Sequence, residues 1–150
     1  LGPDPLNDTS VDDATLARRL DDGRFAGRAL GGLLLDQQFI AGIGNYLRSE
    51  ILFEAGLHPA RKPRTLSDPE RGRLSAAIRV LIERAYRLKG ITNDPQRAER
   101  LKAQGKRFGA RRHMVFGRAG QPCYECGSTI EKHTVAGRRL YRCPRCQPAS

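Results

Sequence analysis

The sequence contains no tryptophan, and aromatic residues make up only 6% of its 150 residues. Because hydrophobic residues account for 39% of the chain, we expect a modest core, either one compact domain or a domain with a small appendage. No apolar run approaches the length of a membrane span, and the first residues resemble neither a secretory signal peptide nor a basic targeting segment. The sequence therefore predicts a soluble, cytoplasmic protein with no membrane partner.

Acidic residues are scarce in the last third of the chain. Residues 101–150 contain 11 Lys and Arg against 2 Asp and Glu, whereas residues 1–100 contain 16 basic and 14 acidic residues. Most of the formal net charge of +11 therefore lies in the C-terminal third. A basic surface of this kind indicates a polyanionic partner such as nucleic acid, and membrane headgroups or simple solubility are the alternatives.

Apolar spacing and capping patterns predict helices through the first 90 residues. Short helices are expected over residues 11–21, 28–35 and 46–55. The first of them would begin at a capping box formed by Ser10 and Asp13. The most regular helix begins at Ser67, which forms a capping box with Glu70, and it continues to Gly90.

The remainder of the chain has a different pattern. Residues 91–112 are polar and basic without steady periodicity, and we predict a mobile connector with about one helical turn. Short β-like runs separated by glycine turns then follow: HMVFG, STIEKHTV and RRLYR.

The stretch AGIGNYLRSE, residues 41–50, predicts a sharp corner before a helix. Gly42 and Gly44 can adopt positive φ angles, and Asn45 is a favoured helix N-cap, so the corner would present backbone amides to an anion. The alternative is purely structural, with Gly42 ending one helix, Gly44 allowing the bend and Asn45 capping the next helix.

Four cysteines form two C-x-x-C pairs, Cys123 with Cys126 and Cys143 with Cys146, and 16 residues separate the pairs. This spacing is typical of a four-thiolate zinc site, in which each pair supplies two sulfurs of a tetrahedron. Two disulfides are the alternative, but a C-x-x-C disulfide is usually redox-active and no secretion signal supports an oxidising compartment. Because sulfur would fill all four positions, we expect one structural zinc ion.

Two adjacent arginines lie between the cysteine pairs, after the turn residues Ala136 and Gly137. Arg138 and Arg139 would occupy the tip of a hairpin, where they could reach a groove or backbone phosphates. The alternative is ordinary solvated surface charge.

These motifs resemble a known family. The stretch GLLLDQQFIAGIGNYLRSEILFEAGLHP, residues 32–59, resembles the helix-two-turns-helix element of the formamidopyrimidine-DNA glycosylase and endonuclease VIII family. The four-cysteine hairpin resembles the C-terminal zinc finger of that family. Within the family, the motif LLLDQ-x-x-x-AG-x-GNYLR and the spacing of the finger are most similar to endonuclease VIII. The implied fold is mainly α, a helix-two-turns-helix bundle followed by a small β-hairpin zinc finger.

The resemblance implies specific DNA contacts. Asn45 matches the family asparagine that binds a backbone phosphate beside the lesion, and Gly44 lies in the turn before it. Arg138 matches the finger-tip arginine that contacts phosphate, and Gln147 matches a glutamine near DNA. The implied partner is duplex DNA with a damaged base or an abasic site, bound by a monomer.

The family's catalytic groups have no match here. In the family, an N-terminal proline amine attacks the sugar and a neighbouring glutamate assists, whereas this sequence begins Leu1-Gly2. We therefore expect a truncated chain, inactive alone, whose partner is the N-terminal catalytic domain of a parent glycosylase and abasic-site lyase. The expected organisation is an interdomain linker at 1–10, a helix-two-turns-helix domain at 11–112 and a zinc-finger domain at 113–150.

Two other classes of protein fit the same features. A stand-alone zinc-containing RNA-binding or ribosome-associated protein would also combine helix-two-turns-helix and zinc-ribbon elements. A zinc-stabilised adaptor for acidic proteins would use the basic tail without binding nucleic acid.

Overall fold

The computed structural model describes residues 1–149. This part of the chain forms six α-helices and a terminal two-stranded hairpin: α1 Asp13–Asp21, α2 Leu30–Leu33, α3 Asn45–Ala55, α4 Asp68–Arg87, α5 Pro95–Ala103, α6 Phe108–Arg111, β1 Glu131–Val135 and β2 Arg138–Arg142. A short 3-10 helix, Pro63–Thr65, precedes α4. The predicted mainly helical architecture with a C-terminal hairpin is confirmed. None of the helices in residues 1–149 is both long enough and apolar enough to cross a membrane.

The helical core is organised around α4. This helix packs against α3 and α1, and its apolar face, which includes Leu74, Ile78 and Leu81, is fully buried. The predicted capping box is present, because the Ser67 hydroxyl accepts from the Glu70 amide at 3.2 Å and the Glu70 carboxylate accepts from the Ser67 amide at 2.8 Å. The box defines the N-terminus of the longest helix of the bundle.

The first two helices are shorter than predicted. The N-cap of α1 is Asp12, whose carboxylate accepts from the Thr15 amide, so the predicted capping box at Ser10 and Asp13 is wrong. The hydroxyl of Ser10 instead donates to Asp8. Similarly, α2 is a single turn of four residues, and the tight turns after it contain hydrogen bonds from the Leu35 and Asp36 amides to the carbonyls three residues earlier.

The connector predicted at residues 91–112, with about one helical turn, contains more helix than expected, since α5 has nine residues and α6 has four. Helix α5 has an N-cap at Asp94, whose carboxylate accepts from the amide three residues later, and Pro95 occupies its first position. Both ends of the segment meet, because the Thr92 and Asn93 amides each donate to the Arg112 carbonyl. Few apolar residues mark these helices, which is why periodicity did not predict them.

The run HMVFG, predicted to be β-like, is not a strand. A buried carboxylate, Glu50 on α3, accepts from the backbone amides of Met114, Val115 and Phe116 at 2.6, 2.8 and 3.1 Å, and from the Thr92 hydroxyl at 2.5 Å. These amides are bonded to a side chain and not to a neighbouring strand. Glu50 therefore connects residues 114–116, at the beginning of the C-terminal region, to the helical core through hydrogen bonds.

The hairpin itself agrees with the remaining β predictions. Strands β1 and β2 are antiparallel, with Val135 opposite Arg138, and a two-residue turn joins them. Ala136 and Gly137 in this turn have φ of 55° and 76°, as a primed hairpin turn requires. The amide of Tyr141 donates to the Ser49 hydroxyl on α3, which contributes to the contact between β2 and the helical core.

Candidate nucleic-acid interface and metal site

The four cysteine thiols form one cluster. The Sγ atoms of Cys123, Cys126, Cys143 and Cys146 all lie within 4.8 Å of one another. A tetrahedral ion with bonds of about 2.3 Å to each sulfur separates its ligand sulfurs by roughly 3.8 Å. The observed separations of 3.9 Å for Cys123–Cys146 and 3.4 Å for Cys126–Cys143 fit that arrangement, so the cluster could hold a metal ion.

The disulfide alternative does not fit this geometry. All four cysteines are free, and the sulfurs are much farther apart than the about 2.05 Å of a disulfide bond. Backbone amides also point at the sulfurs, since Glu125 N donates to Cys123 Sγ and Cys146 N donates to Cys143 Sγ. Amide donors stabilise thiolates, the form in which cysteine binds metal.

Gln147 is placed inside the protein. Its side chain is fully buried, with Oε1 accepting from the Cys143 amide at 2.9 Å and Nε2 donating to the Leu57 carbonyl at 3.0 Å. In this conformation the side chain cannot contact DNA, which corrects its assignment as a DNA-binding residue. It joins the second cysteine pair to the loop after α3.

The glycine corner differs in detail from the prediction. Gly42 has φ of 98°, as expected, but Gly44 has an extended backbone with φ of −92° and is itself the N-cap of α3. Asn45 is therefore the first helical residue and not the cap. The side chain of Gln37 braces the corner, because it accepts from the Gly42 amide and donates to the Ile43 carbonyl.

The corner and the hairpin tip, residues 135–139, border the same shallow cleft. Its lining residues are Leu35, Gln37, Ile43, Gly44, Asn45 and Arg138. Asn45 and Arg138 are thus brought together although 92 residues separate them in sequence. Neighbouring Arg139 is also exposed but does not line the cleft.

Arg48 on α3 connects the two sides of this cleft, and sequence analysis did not select it. Its guanidinium is fully buried and donates to the carbonyls of Gly31, Val135, Arg138 and Arg139 and to Asn45 Oδ1, over distances of 2.7–3.2 Å. One planar group therefore holds the hairpin tip and orients the Asn45 amide. With Oδ1 accepting from Arg48, the Nδ2 group of Asn45 is the donor available to a ligand in the cleft.

The cleft is electropositive. Burial, and secondarily the charge of Arg138, lower the pKa of Arg48 to about 10, so the guanidinium remains protonated at neutral pH. The five acceptors around it are neutral oxygens, which leave its positive charge uncancelled. Together with Arg138, it favours an anion at the cleft.

Gly31 allows the hairpin tip to approach the helices closely. A Cβ atom at this position would lie 2.6 Å from Val135 Cγ1 and 3.1 Å from Pro59 Cβ, which is too close for any larger residue. At neighbouring Gly32 the nearest atom, Ala136 Cβ, would be at an ordinary contact distance of 3.7 Å. The first glycine of the pair is therefore required by packing, a role that its sequence context did not reveal.

These elements define a mainly helical fold in which a four-cysteine hairpin packs beside a glycine corner. Residues 1–96 match the family described as the Formamidopyrimidine-DNA glycosylase H2TH domain. The matched residues make up more than half of the chain, and the protein belongs to this family.

Individual proteins similar to this chain are named Endonuclease 8. Endonuclease 8 of Klebsiella pneumoniae is 42% identical over 147 residues, which cover 98% of this chain and 52% of the relative. Endonuclease 8 of Escherichia coli is 40% identical over the same shares. The chain thus spans about half the length of the curated relatives it matches.

Solved structures show the same fold. The crystal structure of the MutM (Fpg) protein from Thermus thermophilus has a TM-score of 0.77 and 37% identity, covering 100% of this chain and 55% of that one. Lactococcus lactis Fpg in complex with DNA containing an abasic site has a TM-score of 0.76 and 25% identity, covering 99% and 52% respectively.

Proposed function

We propose that this chain binds the backbone of damaged duplex DNA as the C-terminal part of an endonuclease VIII-like DNA glycosylase and abasic-site lyase of base excision repair. The observation that carries the proposal is the shared cleft of Asn45 and Arg138. An amide donor, a guanidinium and the exposed corner before α3 suit the oxygens of a phosphate. A relative of the same fold is found in complex with DNA containing an abasic site.

The metal that we propose for the cysteine cluster is a single structural zinc ion. Four thiolates favour zinc among the common divalent ions and leave no position for an activated water. The zinc would hold the two knuckles of the finger together and so fix the base of the hairpin whose tip carries Arg138. We assign it no catalytic role.

The catalytic steps would require a partner domain. We assign no catalytic residue to this chain, and we propose that the nucleophile and its acid-base partner come from an N-terminal domain of the parent protein. In that arrangement residues 1–10 would connect the domains, residues 11–112 and 113–150 would bind DNA, and the protein would act as a monomer in the cytoplasm, where bacterial DNA lies.

Salt dependence tests the phosphate contacts directly. If about four to six phosphates are neutralised, log affinity for duplex DNA should fall against log salt with a slope of about −4 to −5. Arg138→Ala should reduce the magnitude of this slope by about one and weaken binding to all sequences alike, because one phosphate contact is lost. The measurement is a titration of labelled duplex at several salt concentrations.

The matched control is Arg139→Ala, which removes an equal charge from the same hairpin but from outside the cleft. It should change the slope less than Arg138→Ala does. Equal slopes for both variants would show that Arg138 acts only through general charge. Tighter binding to structured RNA than to an abasic-site duplex would favour an RNA-binding protein, and no salt-dependent binding would favour an adaptor for acidic proteins.

A further inference from the structure

We propose that Phe108 is a stacking platform for an unpaired nucleobase of the DNA whose backbone lies in the Asn45–Arg138 cleft. The inference rests on the proposed function and adds to it a contact with a base. Phe108 begins α6, in the segment where the sequence predicts a mobile connector with about one helical turn.

The surroundings of Phe108 are strongly basic. Phe108 is 42% exposed, which is unusual for a phenylalanine of a protein with so few aromatic residues. Residues 97–112 contain seven Lys and Arg against one acidic residue, Glu99. An exposed aromatic ring within a cluster of cations is the combination that proteins use to bind unpaired bases and the adjoining phosphates.

Arg112 lies between Phe108 and the first turn of α3. The Arg112 guanidinium lies 4.8 Å from the ring centre of Tyr46, the neighbour of Asn45, and 5.4 Å from the ring centre of Phe108. Arg112 is itself held in place, because its Nε donates to the Gly90 carbonyl at 2.8 Å. Arg112 therefore places the exposed ring near the first turn of α3, where Asn45 lines the cleft.

Part of the Phe108 ring remains exposed beside two arginines. The guanidinium groups of Arg111 and Arg112 lie 5.7 and 5.4 Å from the ring centre. A nucleobase is the planar ligand that suits an exposed ring among cations, because its flat face can stack while its phosphates meet the arginines. A base inside an intact duplex already has both faces stacked, so the occupant must be unpaired or extruded.

The test uses the present chain and two duplexes that differ only in damage. One carries an abasic-site analogue opposite 2-aminopurine, and the other is fully paired with 2-aminopurine at the same position. We expect Phe108→Ala and Phe108→Leu to bind the abasic duplex about tenfold more weakly, with a smaller change in 2-aminopurine fluorescence on binding, and the paired duplex unchanged. Phe108→Trp should retain the affinity for the abasic duplex.

Tyr86→Ala provides the matched control, since Tyr86 is an exposed aromatic on α4 at 70% exposure. It should leave both duplexes unaffected. The inference is overturned if Phe108→Leu binds the abasic duplex as tightly as the unsubstituted chain, or if the paired duplex is weakened equally. Failure of the proposed function would look different, because the unsubstituted chain would then show no salt-dependent binding to either duplex.

Discussion

Removal of the metal is expected to unfold the hairpin and reduce affinity for abasic-site DNA by at least about tenfold, with loss of the Arg138 contact. Small zinc domains depend on the ion for folding, and apparent binding free energies of structural zinc reach about 10–16 kcal/mol. The strands Glu131–Val135 and Arg138–Arg142 should then lose protection from hydrogen exchange. The helices α1 and α4, which pack against each other and, for α4, against α3, should retain theirs.

The measurement combines metal analysis, amide exchange and DNA titration before and after a strong chelator. One zinc ion per chain should be released, and stoichiometric zinc should restore both exchange protection and affinity. Chelation that removes zinc but leaves hairpin protection and affinity intact would contradict the structural role. Another metal at one equivalent would refute the identity of the ion but not the role of the site.

Replacement of Arg48 is expected to produce the second large effect. Arg48→Met preserves much of the side-chain volume but removes the hydrogen bonds that join the guanidinium to Gly31, to Asn45 and to the hairpin tip. A hydrogen bond to a charged group contributes about 1.5–3 kcal/mol, so the loss of several should lower the free energy of unfolding by about 3 kcal/mol or more. Denaturant unfolding of the zinc-bound protein measures this change.

The control for Arg48→Met is Arg28→Met. Arg28 pairs with Asp36 at 2.7 Å, but its side chain is 46% exposed. Loss of an exposed ion pair of this kind costs about 0–1 kcal/mol. Similar losses for the two variants would contradict the central position given to Arg48, and Arg48→Lys should be intermediate because an ammonium cannot reproduce the planar fork.

Parts of this protein could be predicted because the responsible signals are local. The cysteine spacing predicted the sulfur cluster, since each C-x-x-C pair occupies one knuckle and only the approach of the two pairs is long-range. The α4 helix was predictable because Ser67 and Glu70 cap it within one turn. In both cases the physical cause lies within a few residues of its effect.

Other features depend on contacts between distant parts of the chain. Arg48 lies in a helix whose sequence gives no indication that its guanidinium reaches carbonyls about 90 residues later. Glu50 resembles a surface residue by type, yet it is fully buried and bonded to backbone amides of residues 114–116. The strand predicted at HMVFG failed for this reason, because a carboxylate replaced the expected neighbouring strand.

Asn45 has a different local role from the one that the sequence predicted. It was expected to cap α3, but Gly44 does so, and Asn45 Oδ1 instead accepts from Arg48 at 3.0 Å. Its proposed contact with phosphate depends on the opposite end of the amide. A single substitution can test the role of the Oδ1 acceptor independently of the role of the Nδ2 donor.

Asn45→Asp is that substitution. It keeps an oxygen acceptor for Arg48 and adds a negative charge in the first turn of α3, where the helix dipole favours it, so stability should be unchanged or slightly higher. It also removes the Nδ2 donor and places a carboxylate beside the phosphate, so affinity should fall by about tenfold or more. Asn45→Ala, by contrast, should lower both stability and affinity.

The most direct test of the shared phosphate cleft is therefore the affinity of zinc-loaded Asn45→Asp for abasic-site duplex DNA, measured beside its thermal unfolding. The account predicts an unchanged or higher melting temperature together with at least about tenfold weaker binding. Binding equal to that of the unsubstituted chain, at equal stability, would contradict the assignment of this cleft to DNA phosphate.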